Sequence, residues 1–382
     1  MKQFGTCMLS VAMLLSVLTA CGKMPLQQGQ TAEQVERTQP DRSPISRDAA
    51  YKERLKLYRE RTEHFVLSQL YGPDGVYTNY LDSSETGTAA SGHEVLSESA
   101  GLMMRYYVLT NRKDDFQAEW ELAKRVFELP SGFSYRYSPK KSEKYTINAA
   151  VDDLRIIRAL YEAGDRFAPE YIELADTYGE LFYRYNTKDN KMFDFYDEKY
   201  KNNNNFVTLC YIDLKTLQRL PIPAKQRTAL TENMQTILQN GYLSDAFPFY
   251  ETRYEYDTDS YQSEGINTVE SLLTILSLAE AGLEHPESIS YLNDQVSGGT
   301  LYGQYDKQGK PLNQIQSTAI YAIAAMIGSV LGDDGLYRDS IQQMEKYQIH
   351  NKTSPFYGGF GDPGTKQAYS FDNLMALLAY AH

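Results

Sequence analysis

The sequence predicts an all-α protein, an (α/α)6 toroid of six helical hairpins with aromatic-rich loops gathered at one rim. Helical apolar periodicity runs from Ala49 to the end of the chain, broken by short Gly, Asn and Pro segments and by no strand-rich region. Six aromatic segments interrupt it: GVYTNYLD from Gly75, GFSYRYS from Gly132, KMFDFYDEKY from Lys191, FPFYETRYEY from Phe247, LYGQYDKQG from Leu301 and FYGGFGDPG from Phe356. Their starts are 57, 59, 56, 54 and 55 residues apart, and each interval holds a helix pair. Near-equal units of this kind mark a repeat architecture, and six of them close into a ring.

Taken in order, the chain begins with Lys2 and an apolar run from Met8 to Ala20, too short for a permanent bilayer span and suited to a signal peptide over residues 1–20. Leu18-Thr19-Ala20-Cys21, followed by Gly22, resembles a bacterial lipobox. That resemblance implies a lipid on Cys21 and attachment to the extracytoplasmic face of the cell membrane. Residues 21–46, rich in Gln, Thr, Arg, Pro and Ser, read as a flexible tether, and residues 47–382 as the folded domain. With Cys7 removed and Cys21 modified, Cys210 stands alone. Stability must then come from a large core, not from an intrachain disulfide.

Twelve helices are expected, near 48–70, 94–110, 114–129, 149–165, 168–186, 206–219, 225–240, 265–283, 286–297, 313–331, 334–348 and 369–381. The second opens with Ser97-Glu98-Ser99, which is helix-start chemistry, and continues with the apolar stripe Leu102, Met103, Tyr106 and Val108. The third carries the single tryptophan, Trp120, as a core residue, and the fourth opens with Asp152 and Asp153.

A net charge of −12 argues against an electrostatic grip on nucleic acid or anionic lipid, and against a strongly anionic polymer as substrate. Tyrosine is over-represented, with 32 residues. Most should pin loops to helix ends, while some could stack on sugar rings, for which Tyr77, Tyr135, Tyr250, Tyr256 and Tyr357 are the candidates. The chain contains no GxxxxGK[ST], HExxH or G-x-S-x-G. The five histidines are scattered, so neither metal nor cofactor is expected, and Cys210 reads as a buried small hydrophobe.

Acid chemistry remains. Glu98, Asp152 and Asp153 open helices, and Asp257 and Asp259 follow the fourth aromatic loop, with Glu264 and Glu270 beyond. In a toroid these openings face one cleft. Carboxylates converging on an aromatic cleft suit glycoside hydrolysis, in which one carboxylic acid protonates the leaving oxygen and a second activates water or attacks the sugar. Each also has a plainer reading, as a helix N-terminal charge or a solvated loop acid.

Three segments carry a specific resemblance. Leu96–Leu109, LSESAGLMMRYYVL, resembles the S-E-x-x-G-x-x-M signature of glycoside hydrolase family 8; Ala149–Leu160, AAVDDLRIIRAL, is similar to its A-x-D-x-D-L segment; Arg253–Ser260, RYEYDTDS, resembles its Y-D-A-x-R. The resemblance implies an inverting endo-glycosidase with Glu98 as general acid, Asp257 as general base and Asp153 or Asp152 on the sugar. Val151 stands where the family's first aspartate would be and Ser260 where its arginine would be, so Asp152 competes with Asp153, and Asp259 or Glu264 with Asp257. These departures point to a branch associated with exopolysaccharide. The expected partner is then a cell-surface or exported polysaccharide, with the enzyme acting as a monomer. The alternatives are a non-catalytic polysaccharide-binding or assembly lipoprotein on the same fold, and a toroidal lyase or unsaturated-uronide hydrolase.

Overall fold

The computed structural model describes residues 48–85 and 89–382. The lipobox-like segment ending at Cys21 and the tether lie outside the described residues. Among the described residues there are twelve α-helices: α1 (Ala49–Phe65, continued by a π turn at Val66–Leu70), α2 (Ser97–Leu109), α3 (Lys113–Phe127), α4 (Ala150–Arg166), α5 (Glu170–Asn186), α6 (Leu214–Leu217), α7 (Ala224–Asn240), α8 (Thr268–Ala281), α9 (Pro286–Gly298), α10 (Thr318–Leu331), α11 (Asp334–Glu345) and α12 (Ser370–Ala381). No helix among them is long and apolar enough to cross a membrane.

The even-numbered helices form the inner ring. α2 packs on α4, α4 on α6, α6 on α8, α8 on α10, α10 on α12, and α12 back on α2. The odd-numbered helices stand outside, with α1, α3, α5, α7 and α11 each backing an inner partner and α9 packing on α11. Ring position explains composition. α10, TAIYAIAAMIGSVL, is buried continuously from Thr318 to Gly328 because α8, α11 and α12 surround it. Its Gly328 permits the closest approach, since a Cβ there would lie 2.7 Å from the Tyr337 backbone nitrogen on α11. The outer α3 buries one stripe, including Phe116, Trp120 and Phe127, beneath an exposed charged face.

The ring is sealed where its first and last units meet. Thr62 Oγ1 donates to Gly358 O (2.9 Å), Gln348 Nε2 donates to the same carbonyl (2.9 Å), and Ser370 N donates to Thr78 O (3.0 Å).

Two features depart from the sequence expectation. The first four aromatic segments take part in short antiparallel hairpins, the fifth pairs Gln304–Tyr305 with Ile266–Asn267, and two three-stranded patches form: Val95–Leu96, Arg136–Ser138 and Glu143–Lys144, and Phe206–Thr208, Arg253–Glu255 and Ser260–Gln262. The helix expected at 206–219 is a strand (Phe206–Thr208), a 3-10 turn (Leu209–Tyr211) and the single turn of α6. Phe206 and Val207 pair with Glu255 and Tyr254, Asp213 caps α6 through its side chain, and Pro221 and Pro223 prevent extension.

Candidate active site

Each inner element follows an aromatic segment, and α2, α4, α6, α8 and α10 each lead to the outer layer through a short connection. The hairpins and the N-terminal turns of α2, α4, α8, α10 and α12 therefore share one rim.

The entry to α2 is braced by a buried ion pair. Arg136 Nε donates to Glu94 Oε1 (2.7 Å) and Arg136 Nη2 to Glu94 Oε2 (2.6 Å), and both side chains are fully buried. Leu96 pairs with Arg136 across the strand, and Ser97 N donates to Tyr135 O (3.2 Å). Glu98, two residues past that strand, is thus carried on rigid backbone.

Glu98 is 5% exposed. Arg155 Nη1 lies 3.1 Å from Glu98 Oε2 and 2.6 Å from Asp152 Oδ1, joining the two carboxylates. Burial and the neighbouring Asp152 charge push the Glu98 carboxyl up to about 7 against the opposing pull of Arg155. Asp152 is also raised by burial, although Arg155 and a hydrogen bond from Ser97 oppose it. A carboxyl that holds its proton near neutral pH is what a general acid requires.

Asp153 turns the other way. Its Oδ2 accepts from Asn148 Nδ2 (2.8 Å) and its Oδ1 from Phe133 N (3.3 Å), while Asn148 is tied in turn to Asn186 Oδ1 (2.8 Å). It locks the Gly132–Phe133 hairpin strand against α4 and α5. The expectation that Asp153 is catalytic is corrected accordingly, because adjacent residues on a helix point about 100° apart and Asp152 holds the face toward Glu98.

Asp257 makes no hydrogen bond or ion pair with this group. It sits in the exposed turn between Arg253–Glu255 and Ser260–Gln262, where Asn205 Nδ2 donates to its Oδ2 (2.7 Å). Asp259, also exposed in that turn, adopts a left-handed φ of 50° and accepts from the Tyr254 hydroxyl; Glu264 is exposed as well.

A second acidic pair lies at the rim: Asp194, whose carbonyl accepts from Ala150 N at the start of α4 (2.7 Å), and Glu270 on α8, which the sequence names without a role. Asp194 accepts from Thr208 N (2.6 Å) and Thr208 Oγ1 (2.6 Å), and burial pushes it up to about 7, with the nearby Glu270 charge adding to the rise. Glu270, in the first turn of α8, is likewise pushed up to about 7 by burial. The Cys210 thiol and Tyr211 hydroxyl, on the 3-10 turn between α4 and α8, are raised well above their ordinary values. Burial is the main cause; Cys210 also feels Glu270, Asp194 and Arg155, and Tyr211 feels Asp194, Cys210 and Asp152. An uncharged thiol of this kind is no nucleophile.

The aromatic candidates separate by exposure. Tyr250 is 2% exposed, with its backbone N donating to Ser271 Oγ (2.9 Å), and Tyr135 is buried with its ring edge-on to Tyr145. Neither offers a face to a sugar, which corrects both expectations. Tyr77 stacks on His93 (4.1 Å), the Tyr256 hydroxyl donates to Met192 O (2.5 Å), and Tyr357 lies beneath Arg61 of outer helix α1; all three are half-buried. Tyr369, 49% exposed immediately before α12, is a further rim aromatic, with no sequence signal that sets it apart from the other tyrosines.

Below the acids lies a central cavity of about 80 Å³, lined among others by Gly101, Arg155, Cys210, Leu273 and Met375. Beneath it the axis is filled with ion pairs. Arg105 pairs with Glu162 (3.1 Å) and Glu280 (3.4 Å), and Arg158 with Glu162 (2.9 Å) and Glu280 (2.6 Å). His382 is half-buried beside them and, through loss of solvent around its ring and the Arg105 charge, is lowered to about 3.

The residues able to hold a metal among those described are Asp245, His285 and Glu287, whose ligand atoms lie within 4.8 Å of one another at the start of outer helix α9. None belongs to the acid group. Tyr242 stacks on His285 (3.9 Å) and Glu287 Oε2 lies 2.8 Å from His285 Nδ1, so the group is already paired within itself.

No protein-family model and no curated protein matches the chain. Solved structures do. A structure described as a novel alpha-amylase from Clostridium perfringens is 33% identical with a TM-score of 0.79, over 85% of this chain and 97% of that one. PssZ from Listeria monocytogenes (21% identity, TM-score 0.65, 84% and 93% covered) has the same fold. So does an endoglucanase of glycosyl hydrolase family 8 from Klebsiella pneumoniae (15%, 0.55, 74% and 96%). A closed ring of helix pairs with buried acids at one rim defines a toroidal glycoside hydrolase. Its relation to the Clostridium enzyme is close enough to place it further, and the chain belongs to the family 8-like glycoside hydrolases.

Proposed function

We propose that the protein is an inverting endo-glycosidase of a neutral cell-surface or exported polysaccharide, with Glu98 as general acid. The observation that carries the reading is the Glu98–Arg155–Asp152 group at the mouth of the ring. Glu98 holds a proton near neutral pH and donates it to the glycosidic oxygen as the bond to the anomeric carbon breaks. Asp152, held by Arg155, hydrogen-bonds the ring hydroxyls as the sugar flattens toward its cationic transition state. The net charge of −12 disfavours polyanions, and the alpha-amylase description of the Clostridium relative makes an α-linked glucan the first substrate to try.

The test is release of reducing ends from soluble starch, a mixed-linkage β-glucan and the producing cell's own polymer by the wild type and E98Q. A loss of roughly 10²–10⁴-fold in kcat, with polymer binding retained, is expected. Activity of E98Q close to wild type would remove Glu98 from the mechanism.

A further inference from the structure

We infer that Glu270, not an acid of the Arg253–Gln262 hairpin, is the general base that activates the attacking water. The inference rests on the reading of Glu98 as general acid and adds the second half of the reaction.

Ring position is the first argument. Counted through their packing, the inner elements run α2, α4, α6, α8, α10, α12 and back to α2. α8 is three steps from α2 in either direction and therefore opposite it. Both glutamates sit in the first turns of their helices and at the same rim. Both also lie on the faces that look onto the axis. Leu273, Leu276, Ser277 and Glu280 of α8 line the central cavity, and Glu270 precedes them by one helical turn on the same stripe. Gly101, Leu102 and Arg105 of α2 line it from the other side, with Glu98 one turn before them. Six helices at contact spacings of about 8–10 Å put opposite axes about 16–20 Å apart. Inward-reaching glutamates then leave a gap on the order of 5–10 Å between their carboxyls. That range includes the separation of about 6.5–9.5 Å that leaves room for a water between acid and base in an inverting site.

The second argument is the state of the covered carboxylates at the inner helix starts. Asp153 is tied to Asn148 and Phe133 N, Asp194 to both donors of Thr208, Asp152 to Arg155, and Asp372 to Ala319 N at 2.9 Å. Glu270 differs. Its carboxylate has no hydrogen-bond partner among the described residues, and its side chain is only partly covered. An acceptor held at the cleft with both oxygens unspent is placed to receive a proton from water. The Glu270 charge adds to the rise of Asp194, so a proton taken up by Glu270 relieves repulsion within the pair.

In the step itself, the water oxygen bonds to the anomeric carbon from the face opposite the leaving group and its proton passes to the Glu270 carboxylate. The bond from the anomeric carbon to the glycosidic oxygen breaks, and that oxygen takes the proton of Glu98. Exchange with solvent returns both groups to their starting states.

The experiment compares purified wild type, E98Q, E270Q, E270A, E270D, D194N and D257N on whichever of soluble starch and β-glucan the wild type cleaves faster. Measurements are kcat and KM across pH, the anomer released by NMR, and rescue by sodium azide. Expected are a loss of roughly 10²–10⁴-fold in kcat for E270Q with KM little changed, loss of the acidic limb of the pH profile, and partial retention in E270D. Azide should revive E270A and yield a glycosyl azide of inverted configuration. E270Q within tenfold of wild type while E98Q is inactive overturns the base assignment and leaves the acid standing. A loss in D194N or D257N as large as in E98Q, with E270Q still active, instead moves the base there. If E270Q does not fold, E270D against E270A decides, since equal activity of those two shows that the carboxylate is not used.

Discussion

Glu98 is held where its charge is costly. Above about pH 7 it is ionised in a buried site beside Asp152, and the Arg155 guanidinium only partly offsets this. E98Q removes that burden while keeping shape, so the variant expected to be inactive is also expected to be more stable. The thermal midpoint at pH 8 should rise by an amount corresponding to one to a few kcal/mol, on the order of the linkage for a shift of this size. A lower midpoint would mean that Glu98 is there for the fold. Glu98 was legible in the sequence because a compact local motif surrounds it. The choice between Asp152 and Asp153 was not, since both sit in the same turn and only the packing of α2 on α4 decides which one faces Arg155. Arg155, though inside the Ala149–Leu160 segment, and Glu270, though named among the acids, were given no role for a related reason: their meaning comes from ring position.

The strand Val95–Leu96 and the helix it feeds work as one element, and the Arg136–Glu94 pair is their brace. With both side chains fully buried, removing one partner strands the other charge. R136M is therefore expected to cost about 3–5 kcal/mol, read as a shift in the denaturant midpoint, and to lower kcat because Glu98 loses its fixed approach. An unchanged midpoint would show that the pair adds nothing to the element. The twelve-helix plan could be read because each long helix repeats its apolar residues over several turns. The hairpins could not, since strands of two to four residues are shorter than the pattern that reveals them. The same limit explains 206–219, where an apolar run long enough for a helix is divided among a strand, a 3-10 turn and a single helical turn.

Across the whole molecule the buried acids set an unusual pH response. Glu98, Glu119, Asp194, Glu270 and Glu345 are each pushed up to about 7, chiefly by burial. Their contribution is complete below the unfolded carboxylate range and is lost as pH rises through about 7. Glu162 runs opposite: although buried, it is lowered to about 2 by Arg105 and Arg158, so its contribution is present above the unfolded value and is lost as pH falls toward 2. His382, lowered to about 3, also costs stability as pH falls below its unfolded value. Because the raised acids titrate toward neutrality while the lowered carboxylates titrate below the interval, the thermal midpoint should fall between about pH 5 and pH 8, and the E98Q, E270Q and D194N substitutions should each flatten the slope. A midpoint rising over that interval would contradict the burial of these acids. The ion pairs of Arg105 and Arg158 have a different consequence at this scale. They stop the ring at its far end, so the toroid is a cup and not a tube. A glycan strand has no passage through it and must lie across the lip, entering and leaving sideways. Such an enzyme needs no free chain end and has no way to keep hold of a cut strand by threading it. A viscous polymer solution should therefore thin well before much sugar is set free.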